Sequence, residues 1–345
     1  MMRRGLVDDR LGLKYGAGGR AMRALVERVC LAGLGDVPVD GIGLAAMDDG
    51  AALRVGDRWL VITTDSHVVQ PIFFPGGDIG RLAVSGTVND LAMMGATEPL
   101  GLTCAIILEE GFSKADLERV YASIREACRE AHAPIVTGDT KVMGRGELDG
   151  LVVNTTGVAL CDRVVSDAGL RPGDVLIVTG TMGDHGMAIM AARHQLALEG
   201  DLRSDVAPIN GLVRAALDAG GAGIVAMKDP TRGGLSSALH EMAEKGAVGI
   251  LIEELAVPVR AATRAAADLL GIDPRVVAIE GKAVIGVRPG AANAVLEAIR
   301  RHPLGGGAAI VGRCLSEHPG AVILDTGFGR RMLSEPEGEL LPRIC

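Results

Sequence analysis

Apolar positions recur along this chain with two periods, and the two periods alternate. Short apolar runs bounded by glycine, proline or acidic residues predict strands: Trp59 to Thr64, Gly101 to Leu108, Ile135 to Thr137 and Leu151 to Leu160. Between them the spacing turns helical. The turn Pro75-Gly76-Gly77-Asp78 opens a helix over about 78–95, and Ser113-Lys114-Ala115-Asp116 has the form of a capping box. Leu117, Val120, Tyr121, Ile124, Cys128 and Ala131 then share one helical face, which predicts that Cys128 is a core residue. The second half repeats the alternation. It predicts strands at 175–179, 223–228, 248–252, 276–279, 308–313 and 321–325, and helices at 185–195, 209–219, 234–245, 258–270 and 291–302. Strands interleaved with helices in this way predict an α/β fold or a layered α+β sandwich.

The punctuation divides the chain. Residues 1–37 form an arm centred on Tyr15-Gly16-Ala17-Gly18-Gly19-Arg20, followed by a helix with Met22, Leu25, Val26 and Val29 on one face. A first domain spans 38–163, and a second, opened by a linker with Gly169 and Pro172-Gly173, spans about 170–333. The two halves have similar size and element order, which permits an ancient duplication. Residues 334–345 read as a flexible tail, because Pro336, Gly338 and Pro342 prevent regular structure. The tail ends in Cys345, and a thiol on a mobile arm can collect a chemical group at one site and deliver it at another.

Composition narrows the classes of function. Only seven of the 345 residues are aromatic (one Trp, two Tyr, four Phe) while 48% are hydrophobic, so the cores must be aliphatic. A net charge of -8 without a basic block argues against nucleic acid as the partner. No apolar run approaches the ~18 residues that span a membrane, and the basic start Met1-Met2-Arg3-Arg4 lacks the apolar stretch of a signal peptide. Six widely spaced cysteines without a Cys-x-x-Cys pair indicate neither a zinc site nor a disulfide framework, so the expectation is a cytoplasmic protein with reduced thiols.

Several polar constellations stand out against this apolar background. Asp65 follows a strand, Asp139 follows another, and Asn89-Asp90 lies in a segment of small and apolar residues, Gly86 to Ala96. Carboxylates converging from strand ends are hard oxygen ligands suited to Mg²⁺ held with nucleotide phosphates. Gly16, Gly18 and Gly19 leading into a helix add a possible phosphate cradle. Together these features favour an ATP–Mg²⁺ site. Lys141, two residues beyond Asp139 and next to Thr140, reads as a loop cation able to steady phosphate or polarise a carbonyl group. In the second half, Arg232 in Asp229-Pro230-Thr231-Arg232-Gly233-Gly234-Leu235 could clamp phosphate, and Glu280 or His185 could act as a base.

These stretches together resemble the PurM-like family of ATP-dependent enzymes over nearly the whole chain. Thr63-Thr64-Asp65, Val88 to Ala96 and Gly138-Asp139-Thr140 look like its nucleotide and magnesium motifs. Within it, Gly183-Asp184-His185-Gly186, Asp229 to Leu235 and the ending Pro342-Arg343-Ile344-Cys345 resemble the hydrogenase maturation factors of the HypE type. Tyr15 stands where that type commonly has His, and Ile279 where it commonly has Asn. The resemblance implies a two-domain PurM-like fold and a homodimer formed by the first domains. It also implies an activity. A carbamoyltransferase, HypF, loads a carbamoyl group onto Cys345. ATP then drives its dehydration to a thiocyanate, and the cyanide passes to iron on a HypC–HypD scaffold for the [NiFe]-hydrogenase centre. Asp65, Asp90 and Asp139 would be magnesium ligands, Lys141 the cation near developing charge, and Glu280 or His185 the base. Two alternatives are another enzyme of the same fold (selenophosphate synthetase, thiamine-phosphate kinase or aminoimidazole ribonucleotide synthetase type) and a nucleotide-sensing scaffold. The first cysteine, Cys30, falls within the arm helix, which argues against the selenophosphate synthetase reading.

Overall fold

The computed structural model describes residues 7–16, 18–34, 37–196 and 200–336. The arm contributes a short helix, α1 (Gly19–Leu25). Eight strands follow: β1 (Gly41–Ile42), β2 (Ala51–Val55), β3 (Arg58–His67), the small hairpin β4 (Phe73–Phe74) and β5 (Gly77–Asp78), β6 (Pro99–Glu109), β7 (Ile135–Met143) and β8 (Leu151–Cys161). Apart from the hairpin they form one sheet in the order β1-β2-β3-β8-β6-β7, antiparallel except for the β6–β7 pair. Every second residue of β8 from Leu151 to Cys161 is buried, so one face of the sheet carries helices and the other is left partly open. Trp59 lies on β3 beneath the Arg54 guanidinium, 5.0 Å from the ring centre.

Helix α2 (Ile79–Met93) crosses the covered face, with α3 (Lys114–Ala131) against it. Asp78 starts α2 by accepting hydrogen bonds from the N–H groups of Gly80 (2.8 Å) and Arg81 (3.0 Å). All residues of α2 except Arg81 and Asp90 are buried. A helix is buried all round only when it is gripped from two sides. Leu82, Val88 and Leu91 share the cluster under the first sheet, while Ala92 and Met93 join Ile177, Ile209 and Leu212 of the second half.

The second half consists of β9 (Val175–Val178), α4 (Asp184–Arg193), α5 (Asn210–Gly220), β10 (Ile224–Lys228), α6 (Gly234–Gly246), β11 (Gly249–Glu253), α7 (Ala261–Leu270), β12 (Val284–Val287), α8 (Pro289–Arg301), β13 (Ala309–Leu315), β14 (Val322–Asp325) and β15 (Arg330–Met332). Its sheet runs β10-β12-β9-β13-β11-β14-β15. Leu176, Val178 and Ile250 pack with Leu235, Leu239 and Met242 of α6, whereas Ile177, Ile285 and Val287 pack with Leu212, Val213, Val295 and Ile299 of α5 and α8. This sheet therefore has two apolar faces. The cluster under the first sheet continues through Phe74 and Ile79 into Met187, Ile189 and Val206, which joins the halves by an apolar seam. Tyr15 and Phe74 are the only aromatic residues buried among those described, so the cores are aliphatic as expected.

Three sequence expectations need correction. The strand expected at 135–137 continues through Asp139 and Lys141 to Met143, so Lys141 is not on a loop, and β7 is an exposed edge rather than buried. Among the described residues it pairs with β6 alone, and an apolar pair such as Ile135-Val136 does not report whether a neighbour covers it. Residues 274–276 form a 3-10 turn started by Pro274, and the strand lies later, at 284–287. The N–H of Ile279 bonds to the carbonyl of Pro230, and the carbonyl of Ala278 accepts from Gly186, so those backbone groups serve the packing of loops. Cys128 sits against the core, but Tyr121 of the same helix points outward.

Candidate active site

A cavity of about 930 Å³ opens between the β2–β3 edge of the first sheet, α1, α6 and the loops after β10 and before β12. Its floor is acidic. Asp49 precedes β2, Asp65 lies inside β3, Asp90 lies on α2 one turn beyond Gly86 with both lining the cavity, Asp229 follows β10 and Glu280 precedes β12. Asp49, Asp229 and Glu280 flank strand ends while Asp65 and Asp90 project from within β3 and α2, so five carboxylates arrive from five segments.

The electrostatics follow from crowding. Burial pushes the Asp90 carboxyl well above its ordinary range, and Asp229, Asp65 and Asp49 add to the push. Burial does the same to Asp229, reinforced by Asp49, and to Glu280, reinforced by Asp229, Asp65 and Asp205. Asp65 behaves differently. Burial opposes its charge, but the ion pair with His67 (3.2 Å) and the Arg232 charge outweigh this and hold it well below the usual carboxylate range. The Thr63 hydroxyl is 2.8 Å from Asp90 Oδ2 and 2.9 Å from the Asp49 carbonyl oxygen. One hydroxyl proton serves only one of these acceptors at a time.

Lys228 anchors the back wall. Its ammonium lies 2.5 Å from Asp49 Oδ1, 3.2 Å from Glu241 and 3.5 Å from Asp167. Burial opposes its charge, but these three carboxylates more than restore it and raise its pKa. Lys245 closes the network on Asp167 at 2.6 Å.

The mouth is lined by the arm. A Cβ on Gly18 would stand 2.8 Å from Arg232 Cβ, and one on Gly19 would stand 2.4 Å from the Pro336 carbonyl oxygen. Both glycines have positive φ. They are therefore required for the close approach of Arg232 and of the tail root, and α1, at seven residues, is too short to act as a phosphate-binding helix. The tail root is fixed there: Glu335 pairs with Arg23, which also reaches Glu244 at 2.8 Å, and Ser236 Oγ donates to the Ser334 carbonyl at 2.9 Å.

Of the residues singled out in the sequence, Gly18, Gly19, Asp65, Asp90, Arg232 and Glu280 meet in this cavity. Gly16 ends a 3-10 turn and does not line it. Asn89 turns away into the seam between the halves, where backbone groups occupy its amide. His185 is a core residue: its Nδ1 is 2.7 Å from Ser204 Oγ and Phe74 stands edge-on at 5.5 Å, so the base reading fails for it. Asp139, Thr140 and Lys141 lie three strands from β3, about 14 Å at ~4.8 Å per strand, exposed on β7. Asp139 therefore does not join the acidic floor of its own chain. Cys345 lies outside the described residues. The sequence reading missed Asp49, His67, Lys228 and Asp229. Asp48-Asp49-Gly50 ahead of an alternating strand was the available signal for the first, and Asp229 opens the very turn that was read for Arg232.

Among the described residues no three His, Cys, Asp or Glu side chains gather tightly enough to hold one ion. The donor set nevertheless fits a magnesium–nucleotide complex. Mg²⁺ commonly takes only one or two carboxylates and completes its shell with phosphate and water. Among the described residues, buried oxygens of Asp49, Asp229 and Glu280 have no hydrogen-bond partner.

Residues 47–161 match the N-terminal domain of AIR synthase related proteins, and residues 171–325 match their C-terminal domain. The chain is 46% identical to the carbamoyl dehydratase HypE of Rhizobium leguminosarum bv. viciae, over 99% of this chain and 96% of that protein. The chain belongs to the HypE family. Among solved structures, HypE in complex with ATP is 42% identical with a TM-score of 0.80, covering 96% of this chain and 99% of that one. A HypE–HypF complex is 40% identical with a TM-score of 0.84, covering 91% and 100%. The PurM-like architecture that the sequence resemblance implied is thus the family's own.

Proposed function

We propose that this chain is an ATP-dependent carbamoyl dehydratase that converts an S-carboxamide on Cys345 to a thiocyanate. The observation that carries the reading is the acidic, Arg232-bearing cavity with the tail root fastened at its mouth. From Pro336 the remaining nine residues reach about 30 Å at ~3.5 Å each, enough to enter the cavity or leave it.

The chemistry needs a leaving group and a base. The amide oxygen takes the terminal phosphoryl group of ATP, and the bond to ADP breaks. Glu280 accepts one N–H proton, the C–O bond breaks as phosphate departs with the second proton, and the S–C≡N group remains. Arg232 clamps phosphate in a bidentate manner. Burial and the neighbouring carboxylates raise the affinity of the Glu280 carboxylate for a proton, which makes its ionised form a stronger base than an ordinary carboxylate. Magnesium bound with the triphosphate would supply charge neutralisation there, held by one or two carboxylates drawn from Asp49, Asp65, Asp90 and Asp229. HypF is the carbamoyl donor in this reading, a HypC–HypD scaffold is the cyanide acceptor, and the reaction runs in the cytoplasm. No helix among the described residues is long and apolar enough to cross a membrane. A homodimer through the open face of the first sheet is the arrangement that keeps Asp139, Thr140 and Lys141 in a site, by serving the second copy.

Mass spectrometry of the tail peptide tests the proposal. Incubation with HypF, carbamoyl phosphate and ATP is expected to add one carbamoyl group at Cys345, and further ATP to remove one water. Asp90→Asn is expected to retain the loaded form, and Glu280→Gln to lose water from it at a strongly reduced but measurable rate. Absence of any covalent mass gain on the wild-type tail overturns the reading.

A further inference from the structure

Asn89 and Asp90 are consecutive on α2, so their side chains leave the helix about 100° apart. Asp90 faces the cavity. Asn89 is 1% exposed and faces the seam. Its Nδ2 donates to the carbonyls of Ala207 and Glu280, both at 3.1 Å, and its Oδ1 accepts from the Ile209 N–H at 2.8 Å. Both ends of the amide are thus committed to backbone of the second half. The Glu280 turn is held from its other side as well. Its N–H donates to Asp205 Oδ1 at 3.3 Å, and the Lys282 ammonium lies 3.4 Å from Asp205 Oδ2. A Cβ on Gly281 would stand 1.9 Å from the Asp205 carbonyl oxygen. Yet Glu280 Oε1, buried on the cavity floor, has no hydrogen-bond partner among the described residues. The position of this carboxylate is therefore set through its backbone.

We propose that Asn89 is a positioning residue that holds Glu280 in register with Asp90, so that base and nucleotide site stay aligned across the two halves. The proposal rests on the reading of Glu280 as the base. Only an amide does this work at this position: a carboxylate of the same size offers no donor to the two carbonyls, and an apolar side chain leaves all three backbone groups unpaired.

The test is a double-mutant cycle on the full chain, carbamoylated by HypF and followed in single turnover by water loss from the tail peptide, with ATP affinity measured by calorimetry. Asn89→Asp keeps the acceptor for Ile209 and removes the donors. In the wild-type background it is expected to slow water loss by about tenfold to a hundredfold, because a misplacement near 1 Å costs on the order of 10² in rate. ATP affinity is expected to stay within about threefold, the separation that marks a defect in the chemical step. In a Glu280→Gln background the same change is expected to cost less than about twofold, since the group it positions is already gone. If Asn89→Asp does not fold, Asn89→Ser replaces it in the cycle. Equal losses in both backgrounds make Asn89 a structural residue and overturn the proposal, as does a normal rate in the wild-type background. Normal water loss in Glu280→Gln alone overturns the reading of the base, and the positioning role falls with it.

Discussion

The two sheets of this molecule are built to different completeness. The seven-stranded sheet of the second half is apolar on both faces and is covered by its own helices. The six-stranded sheet of the first half is covered on one face only. Its other face mixes Thr64, Ser66, Asn154 and Thr156 with Val158, and its edge strand exposes Val136 and Val142. One half is a finished layer structure and the other is a surface awaiting a neighbour. The cavity lies where they meet, and it draws carboxylates from both.

The largest expected effect is at the joint. Lys228→Met leaves Asp49, Asp167 and Glu241 facing each other without their shared cation. Stripping one partner from such a network costs about 3–5 kcal/mol, less whatever Lys245 recovers at Asp167. A thermal melt that is unchanged refutes the assignment. Next is the closed sheet. Ile285→Ala on its interior strand β12 is expected to cost about 2–5 kcal/mol in denaturant titration, because Ile285 is wholly buried.

A smaller effect belongs to the tail root. Burial pushes the Glu335 carboxyl up to about 7; Arg23 opposes this, and Glu244 and Glu241 add to it. The folded state then binds a proton more tightly than the unfolded chain. Stability is therefore greatest below the ordinary value of 4.5 and falls as pH rises towards about 7. The slope is at most ~1.4 kcal/mol per pH unit for one proton. Melting from pH 5 to 8 measures it, and Glu335→Gln is expected to flatten the curve. The smallest effect on stability is at the open sheet. Val136→Asp is expected to shift folding by less than about 0.5 kcal/mol, yet to weaken self-association in sedimentation if this face joins two copies. Unaltered association directs the search to another surface.

The contrast between the sheets also explains what the sequence disclosed. Buried strands such as Val175–Val178 and Ile224–Lys228 stand out as apolar runs, and the helices between them were placed within a few residues. The edge strand β7 did not announce its exposure, since apolar residues kept for a partner read the same as residues kept for a core. At the cavity, Asp65, Asp90, Arg232 and Glu280 were legible because each interrupts an apolar context or tight turn. Asp49 and Lys228 were not, since their meaning lies in a pairing across 179 residues that no local pattern carries. Asn89 was read as a nucleotide contact because it adjoins Asp90, and the 100° between neighbours on a helix sends it the other way.

Trp59 has an optical consequence. It is the sole tryptophan, on β3 six residues before Asp65, about 20 Å along the strand at ~3.3 Å per residue. Its emission, under the Arg54 charge, reports the start of β3 in the first sheet. With only two tyrosines beside it, the chain absorbs weakly in the near ultraviolet, so the adenine of a co-purified nucleotide would dominate the spectrum of the native protein.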